Sequence, residues 1–221
     1  GEPGLREPGQ LDRIRDGRSF TTRRVVAIQH GRAIFNLQSS FQKVETGLDF
    51  QQQMPLNVPD PESLPTWQER MEPLRDKMGA YFDRPRPIDL RWVDTSPPGT
   101  HREKADSQLV WLRADGKLPD DPALQACVVT YASDMTLLDT VVLPHGVDWT
   151  ESNIMMASLD HAMWFHRPFR ADEWMLFQQT TPSSSGSRGL ATGEIFTASG
   201  ELVVSVVQEG LVRIIDQAKR R

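Results

Sequence analysis

A single cysteine, Cys127, in 221 residues cannot close an internal disulfide, and no Cys/His cluster has the spacing of zinc ligands. A disulfide framework and a Cys-rich metal scaffold are excluded, and neither a metal nor a cofactor is expected. Positive charge is not in excess: 25 Lys and Arg stand against 30 Asp and Glu, a net charge of −5, so nothing in the balance draws the chain to nucleic acid or an anionic membrane. Long apolar runs are missing too. One of the longest, residues 202–207, is far short of the roughly 20 residues of a spanning helix. The opening GEPGLREPGQ lacks the apolar stretch of a secretory signal, so the expected location is cytoplasmic, with no membrane or nucleic-acid partner. Nucleophile signatures also fail: no G-x-S-x-G elbow surrounds Ser187, the polar run 181–188 lacks a phosphate-loop lysine, and Cys127 has no evident base.

What is present is a globular composition, 38% hydrophobic and 25% charged, long enough for one sizeable or two small domains. Residues 11–42 read as an antiparallel meander with turns at Asp16-Gly17 and His30-Gly31. Prolines then recur from Pro55 to Pro98, which marks a linker. Within it Trp67, Met71, Leu74 and Met78 keep near-helical spacing that Pro73 breaks into short helices. Strands follow at 88–93 and 108–113. Asp121-Pro122 caps and opens a helix whose residues Leu124, Cys127, Val128, Tyr131, Met135 and Leu138 define one buried face over about four turns. Strands at 156–166, 173–180, 189–197 and 202–214 complete the chain. One long helix amid antiparallel strands is an α+β pattern, with the helix on the concave face of the sheet.

Polar residues interrupt these apolar patterns at three places. Asp134 lies on the helix stripe, seven residues after Cys127 and four before Leu138, a position that implies partial burial and a search for a partner. Gln208 interrupts the alternating row Val204, Val206, Gly210, Val212 of the last strand. In 154–166 the face Met156, Ser158, Asp160, Ala162, Trp164, His166 alternates with Ala157, Leu159, His161, Met163, Phe165, so Ser158, Asp160, His161 and His166 are all candidates. Asp134 and Gln208 each have an equally weighted structural reading at this point, a satisfied edge carboxylate and a core amide bonding the sheet, whereas a lone histidine on a strand is more often a packed structural residue than a ligand or base.

The segments Tyr131-Ala132-Ser133-Asp134, Leu143-Pro144-His145-Gly146, Ser158-Leu159-Asp160-His161-Ala162-Met163-Trp164-Phe165-His166 and Val206-Val207-Gln208-Glu209-Gly210 resemble those of acyl-CoA thioesterase II. Arg15-Asp16-Gly17-Arg18-Ser19-Phe20 is similar to a strand turn of the same family, so the resemblance spans nearly the whole chain. It implies a double hotdog, two antiparallel sheets each wrapped round a central helix, that hydrolyses acyl-CoA thioesters without a covalent intermediate. It also implies an Asp-Thr-Gln trio that orients a water. Carried over by motif, the trio falls on Asp134, Ser158 and Gln208, with Ser in place of Thr. These include the two residues that violate their apolar patterns.

The resemblance further implies a partial first hotdog of strands only over 1–45, a linker with short helices over 46–86, and a complete hotdog carrying the catalytic residues over 87–221. A whole first hotdog would have a strand and a helix before Arg15, and residues 1–10 contain neither. The expected partners are an acyl-CoA substrate and a second copy of the chain as a homo-oligomer. Met135, Met156, His161 and Trp164 are the candidate substrate-binding residues, and Arg167, Arg170 and Arg188 the cations available to CoA phosphates. Rival readings stand beside hydrolysis: a non-catalytic acyl-CoA- or lipid-binding hotdog module or a truncated inactive homologue, and an enoyl-thioester hydratase using His161 or His166.

Overall fold

The computed structural model describes residues 10–99, 104–147, 150 and 153–215. The chain divides into two compact units, Gly1–Phe50 and Gln51–Arg221.

In the first unit β1 (Gln10–Asp16), β2 (Phe20–Gln29) and β3 (Arg32–Gln42) form an antiparallel sheet in that order. Gln29 pairs with Arg32, so His30-Gly31 is a two-residue hairpin turn, with φ of 51° and 72° at the two positions. At the other connection the Gly17 N–H donates to Phe20 O at 2.8 Å. Both turns lie where Asp-Gly and His-Gly place them in the sequence.

The second unit opens with residues 51–86, which are not a free linker. Trp67, Met71 and Phe82 belong to its main core, and Leu64 packs with Trp111 and Leu176 on the opposite face of the sheet. Prolines prevent long regular elements here but do not prevent packing, so the boundary between units lies near residue 50 rather than at 86. Thr66 and Glu69 form a capping box on α1 (Trp67–Met71). Pro73 then sits in a single-turn 3-10 segment before α2 (Arg75–Met78), the break that its spacing predicts.

Seven strands follow: β4 (Ile88–Trp92), β5 (Ser107–Ala114), β6 (Ile154–Ser158), β7 (Ala162–Phe165), β8 (Met175–Ser185), β9 (Arg188–Thr197) and β10 (Leu202–Ile214). They form one sheet in the order β4-β5-β8-β9-β10-β6, with β7 also on β10, and each of these pairings is antiparallel. Period-two alternation sends Leu90, Val110, Phe177, Ile195, Val204 and Val206 into the core. Asp121 caps α3 (Pro122–Ser133) through the N–H groups of Ala123 and Leu124, with Pro122 at the first helical position. The chain turns at Asp134 and continues as a 3-10 helix, Leu138–His145.

This helical stretch packs on the inner face of the sheet because two glycines let it approach. Gly189 and Gly210 face each other across β9 and β10, and a Cβ on them would lie 1.9 Å from Val141 Cγ1 and 2.2 Å from Leu138 Cδ1, respectively. The arrangement is the one that the hotdog resemblance implies. By length and composition alone the 24 residues Pro122–His145 are apolar enough to cross a membrane, a property the broken apolar runs do not suggest. They serve here as the core helix of the unit, and 56% of their most apolar window is buried.

The buried face of α3 is not the one expected from spacing. Gln125, Val129, Ala132 and Ser133 are buried, whereas Leu124, Cys127 and Tyr131 are exposed. The reason is local anchoring. Gln125 Nε2 donates to Pro119 O at 2.9 Å, and Gln125 Oε1 accepts from the Ala171 N–H at 2.6 Å, which rotates the helix off its apolar stripe. The stripe also assumes an unbroken helix from Leu124 to Leu138, and the turn at Asp134 resets the phase.

Candidate active site

Three elements bring Asp134, Ser158 and Gln208 together. Asp134 is the C-cap of α3, so its carboxylate stands where the helix ends and the chain turns. Ser158 closes β6 opposite Gly210 of β10, and Gln208 lies two residues along β10 on the same face. Gln208 is wholly buried. Its Nε2 donates to Asp134 Oδ1 at 2.6 Å and to Ser158 Oγ at 2.8 Å. Ser158 Oγ is itself 3.5 Å from Asp134 Oδ1. The reverse amide orientation would set Oε1 against a carboxylate, acceptor facing acceptor, so the hydrogen-bond network fixes Nε2 on this side.

Asp134 does not have the burial that its stripe position implies. Its side chain is 57% exposed because the helix ends there, leaving the carboxylate open to water while one oxygen is held by Gln208. A water-accessible carboxylate anchored by a buried amide, with a hydroxyl beside it, can orient a water and accept its proton.

The segment 154–166 is not one continuous strand. Ser158 pairs with Gly210 and Ala162 with Val207, so Leu159, Asp160 and His161 face only Gln208 and Glu209, a one-residue bulge. The Leu159 and Asp160 N–H groups both reach Glu209 O, at 2.9 and 3.4 Å, and Asp160 Oδ1 accepts from the Glu209 N–H at 2.9 Å. Asp160 is therefore the bulge's fastener. Beyond the bulge the alternation is inverted, which brings His161 and Met163 to the face of Ser158 and sends Trp164 to the other.

His161 accordingly joins the site, with Nδ1 3.9 Å from Asp134 Oδ1 and Nε2 2.9 Å from Ser133 Oγ. Burial pushes its pKa down, against opposing pulls from Asp134, Asp160 and Gln208. Trp164 does not join it: Trp164 is half-exposed opposite Ser205, whose hydroxyl meets His166 Nε2 at 2.9 Å. Met135 and Met156 are partly buried against the main core, Met135 next to Asp134 and Met156 two residues before Ser158. Of the candidate cations, Arg170 is committed to Asp172 through paired contacts of 3.0 and 3.1 Å, and Arg167 donates to Leu202 O at 2.8 Å. Arg188 lies 3.5 Å from Glu209.

Sequence reasoning missed a buried polar cluster beside the site. Gln179 Nε2 donates to Thr136 Oγ1 at 2.6 Å, while Gln108 Nε2 reaches Gln179 Oε1 at 2.9 Å and Thr140 Oγ1 at 3.0 Å. The cluster ties the turn after Asp134 to β5 and β8. Its signal was available, since Gln179 interrupts the inward row Met175, Phe177 just as Gln208 interrupts its own.

A family model described as acyl-CoA thioesterase matches residues 81–211. The chain is 43% identical to a solved structure of acyl-CoA thioesterase II TesB2 from Mycobacterium marinum, with a TM-score of 0.76 over 93% of this chain and 73% of that one. It is 38% identical to human acyl-coenzyme A thioesterase 8, over 98% of this chain and 71% of the relative. Acyl-CoA thioesterase 2 of Haemophilus influenzae is 34% identical, over 92% of this chain and 72% of that protein. A solved protein from Alicyclobacillus acidocaldarius described as having a hot dog fold superposes with a TM-score of 0.69 at 16% identity, a likeness of fold.

Proposed function

Since the chain belongs to the acyl-CoA thioesterase family, whose reaction is thioester hydrolysis, we propose that it hydrolyses acyl-CoA with a water held at Asp134, Ser158 and Gln208, without a covalent intermediate. The observation that carries this reading is the Gln208 amide, whose two N–H groups reach Asp134 and Ser158 from a buried position while Asp134 stays open to solvent. Water attacks the thioester carbonyl carbon and gives a proton to Asp134. The tetrahedral intermediate collapses with loss of the CoA sulfur, which takes up the proton, leaving free acid and CoA thiol. A thioester carbonyl is electrophilic enough for an oriented water and a base to suffice, and base assistance of this kind contributes about 10²–10⁴-fold.

The test is thiol release from acyl-CoA by Asp134→Asn protein. A loss of at least about 10²-fold is expected. Parental turnover would remove Asp134 from the chemistry, and acyl-CoA binding without thiol release by the parent chain would make it a binding module. We also read the working molecule as a homo-oligomer acting in an aqueous compartment. The exposed apolar side chains of Tyr131, Leu159 and Trp164 support this reading, because such surface is normally covered. Light scattering coupled to size exclusion decides it, a monomer at micromolar concentration being the contrary result.

A further inference from the structure

Two glutamines on the inner face of the sheet hold the turn that ends α3. Gln208 of β10 takes Asp134, and Gln179 of β8 takes Thr136 two residues further on, each through an Nε2 donor at 2.6 Å. Gln179 pairs with Gly193 and Gly193 with Val206, so Gln179 stands one inward row from Gln208, with β9 between their strands. Both glutamines are wholly buried, and so are Thr136 and Thr140. Gln208 belongs to the trio itself. The hydrogen bonds of Gln179 go instead to Thr136, Thr140 and Gln108, and its place in the reaction is unassigned.

The neighbours fix which way the Gln179 amide points. Thr136 O can only accept, so the end of Gln108 that lies 3.2 Å from it is Nε2. The same nitrogen is 2.9 Å from Gln179, which must present Oε1 to it and therefore Nε2 to Thr136 Oγ1. Oε1 also accepts the Thr140 hydroxyl at 3.0 Å. Gln108 Nε2 shares its two protons among Thr136 O, Thr140 Oγ1 and Gln179 Oε1, whereas the Gln179 bond to Thr136 is undivided and is the shortest of the cluster. We propose that Gln179 is a positioning residue for the base: by pinning Thr136 to β8 it fixes the turn from which Asp134 projects, so that the carboxylate meets the Gln208 amide. Packing alone does not locate that carboxylate, since it is 57% exposed and Gln208 holds one of its oxygens. A second bond from the same sheet, two residues away, supplies the missing constraint, and a buried network with its partners in place admits one arrangement. The demand is strict, because misplacing a reacting group by about 1 Å can cost about 10²-fold in rate.

This role rests on Asp134 as the base, and the experiment separates the two. Gln179→Met keeps the length of the side chain and removes its amide, and it should lower kcat at least about 10-fold with KM changed less than about threefold. Thr136→Val, which removes the hydroxyl that Gln179 holds, should do the same. Thr136→Ser keeps that hydroxyl and should retain most of the parental kcat. Thermal melts check that each variant folds, and if Gln179→Met does not, the Val and Ser variants decide by themselves. In the Asp134→Asn background Gln179→Met should add less than about twofold, because displacing a base that is already gone costs little, whereas a general loosening of the fold would add its full effect. Parental kcat in Gln179→Met, equal kcat for Thr136→Val and Thr136→Ser, or an undiminished effect of Gln179→Met without Asp134 would each overturn the positioning role while leaving hydrolysis by the trio intact. Parental turnover by Asp134→Asn would instead overturn the underlying reading.

Discussion

Asp134 and Asp172 show how environment divides two carboxylates. Asp134 is solvent-exposed and holds one amide, which suits a group that must take up and return a proton. Asp172 is wholly enclosed, receives the Arg170 guanidinium and accepts from the Leu118 N–H at 3.1 Å. The Arg170 contact, with help from the Leu118 N–H, lowers its pKa from an ordinary 3.8 to about 2. A carboxyl group more acidic in the folded than in the unfolded chain stabilises the fold fully above the unfolded value, and that contribution disappears as pH falls through the folded value. Asp172 should therefore lose its contribution between about pH 4 and pH 2. Asp172→Asn should be less stable than the parent at pH 7, with the difference shrinking across that acidic window, as read by denaturant melts at each pH. A constant difference down to pH 2 would show that packing, and not ionisation, is what the substitution removes. The same pairing explains why Arg170 is a poor candidate for CoA phosphates: its fork is already filled.

At the scale of elements, what was legible and what was not follow from the range of the interactions involved. The hairpin turn at His30-Gly31, the capped start of α3, the break at Pro73 and the strands β4, β5, β9 and β10 are set by neighbouring residues, and they lie where the sequence places them. Asp134 and Gln208 were visible as polar intrusions, and Ser158 was one of four polar candidates on its segment, singled out only by family resemblance. Three features were hidden because they depend on distant partners. The rotation of α3 needs Pro119 and Ala171 to hold Gln125, the bulge needs Glu209 to meet Asp160, and the packing of residues 51–86 needs a finished sheet to lie on. The bulge matters most, since strict alternation groups Trp164 with Ser158 and separates His161 from it.

The close approach of the helical stretch to β9 and β10 is an element-scale feature that can be tested. Gly210→Ala would put a Cβ within 2.2 Å of Leu138 Cδ1, directly opposite Ser158. Overpacking of this kind costs about 1–3 kcal/mol. The variant should melt at lower temperature and also lose turnover, because the 3-10 helix that must shift follows Asp134 by only a few residues. Leu138→Ala introduced alongside it should restore part of the melting temperature by clearing the space. No recovery in the double variant would mean that the strain falls on the strand and not on the helix.

At the scale of the whole molecule, the two units differ in how much they bury. Phe177, Ile195 and Val204, at the centre of the seven-stranded sheet, have no solvent exposure, whereas Leu11, Ile14, Ile34, Phe35 and Phe41 of the first sheet are each more than half exposed. Backbone hydrogen bonds that lack an apolar cover open at little free-energy cost, and their amides exchange accordingly. Hydrogen exchange followed by mass spectrometry should find peptides from β8, β9 and β10 protected far longer than those from β1 and β3. The comparison also bears on assembly, because a homo-oligomer that covers apolar side chains of the first sheet would slow exchange in β1 and β3 as protein concentration rises, with β8 to β10 unaffected. Protection of β1 and β3 equal to that of the central strands at every concentration would mean that their apolar side chains are covered even in the isolated chain, and the low stability argued from their exposure would be wrong.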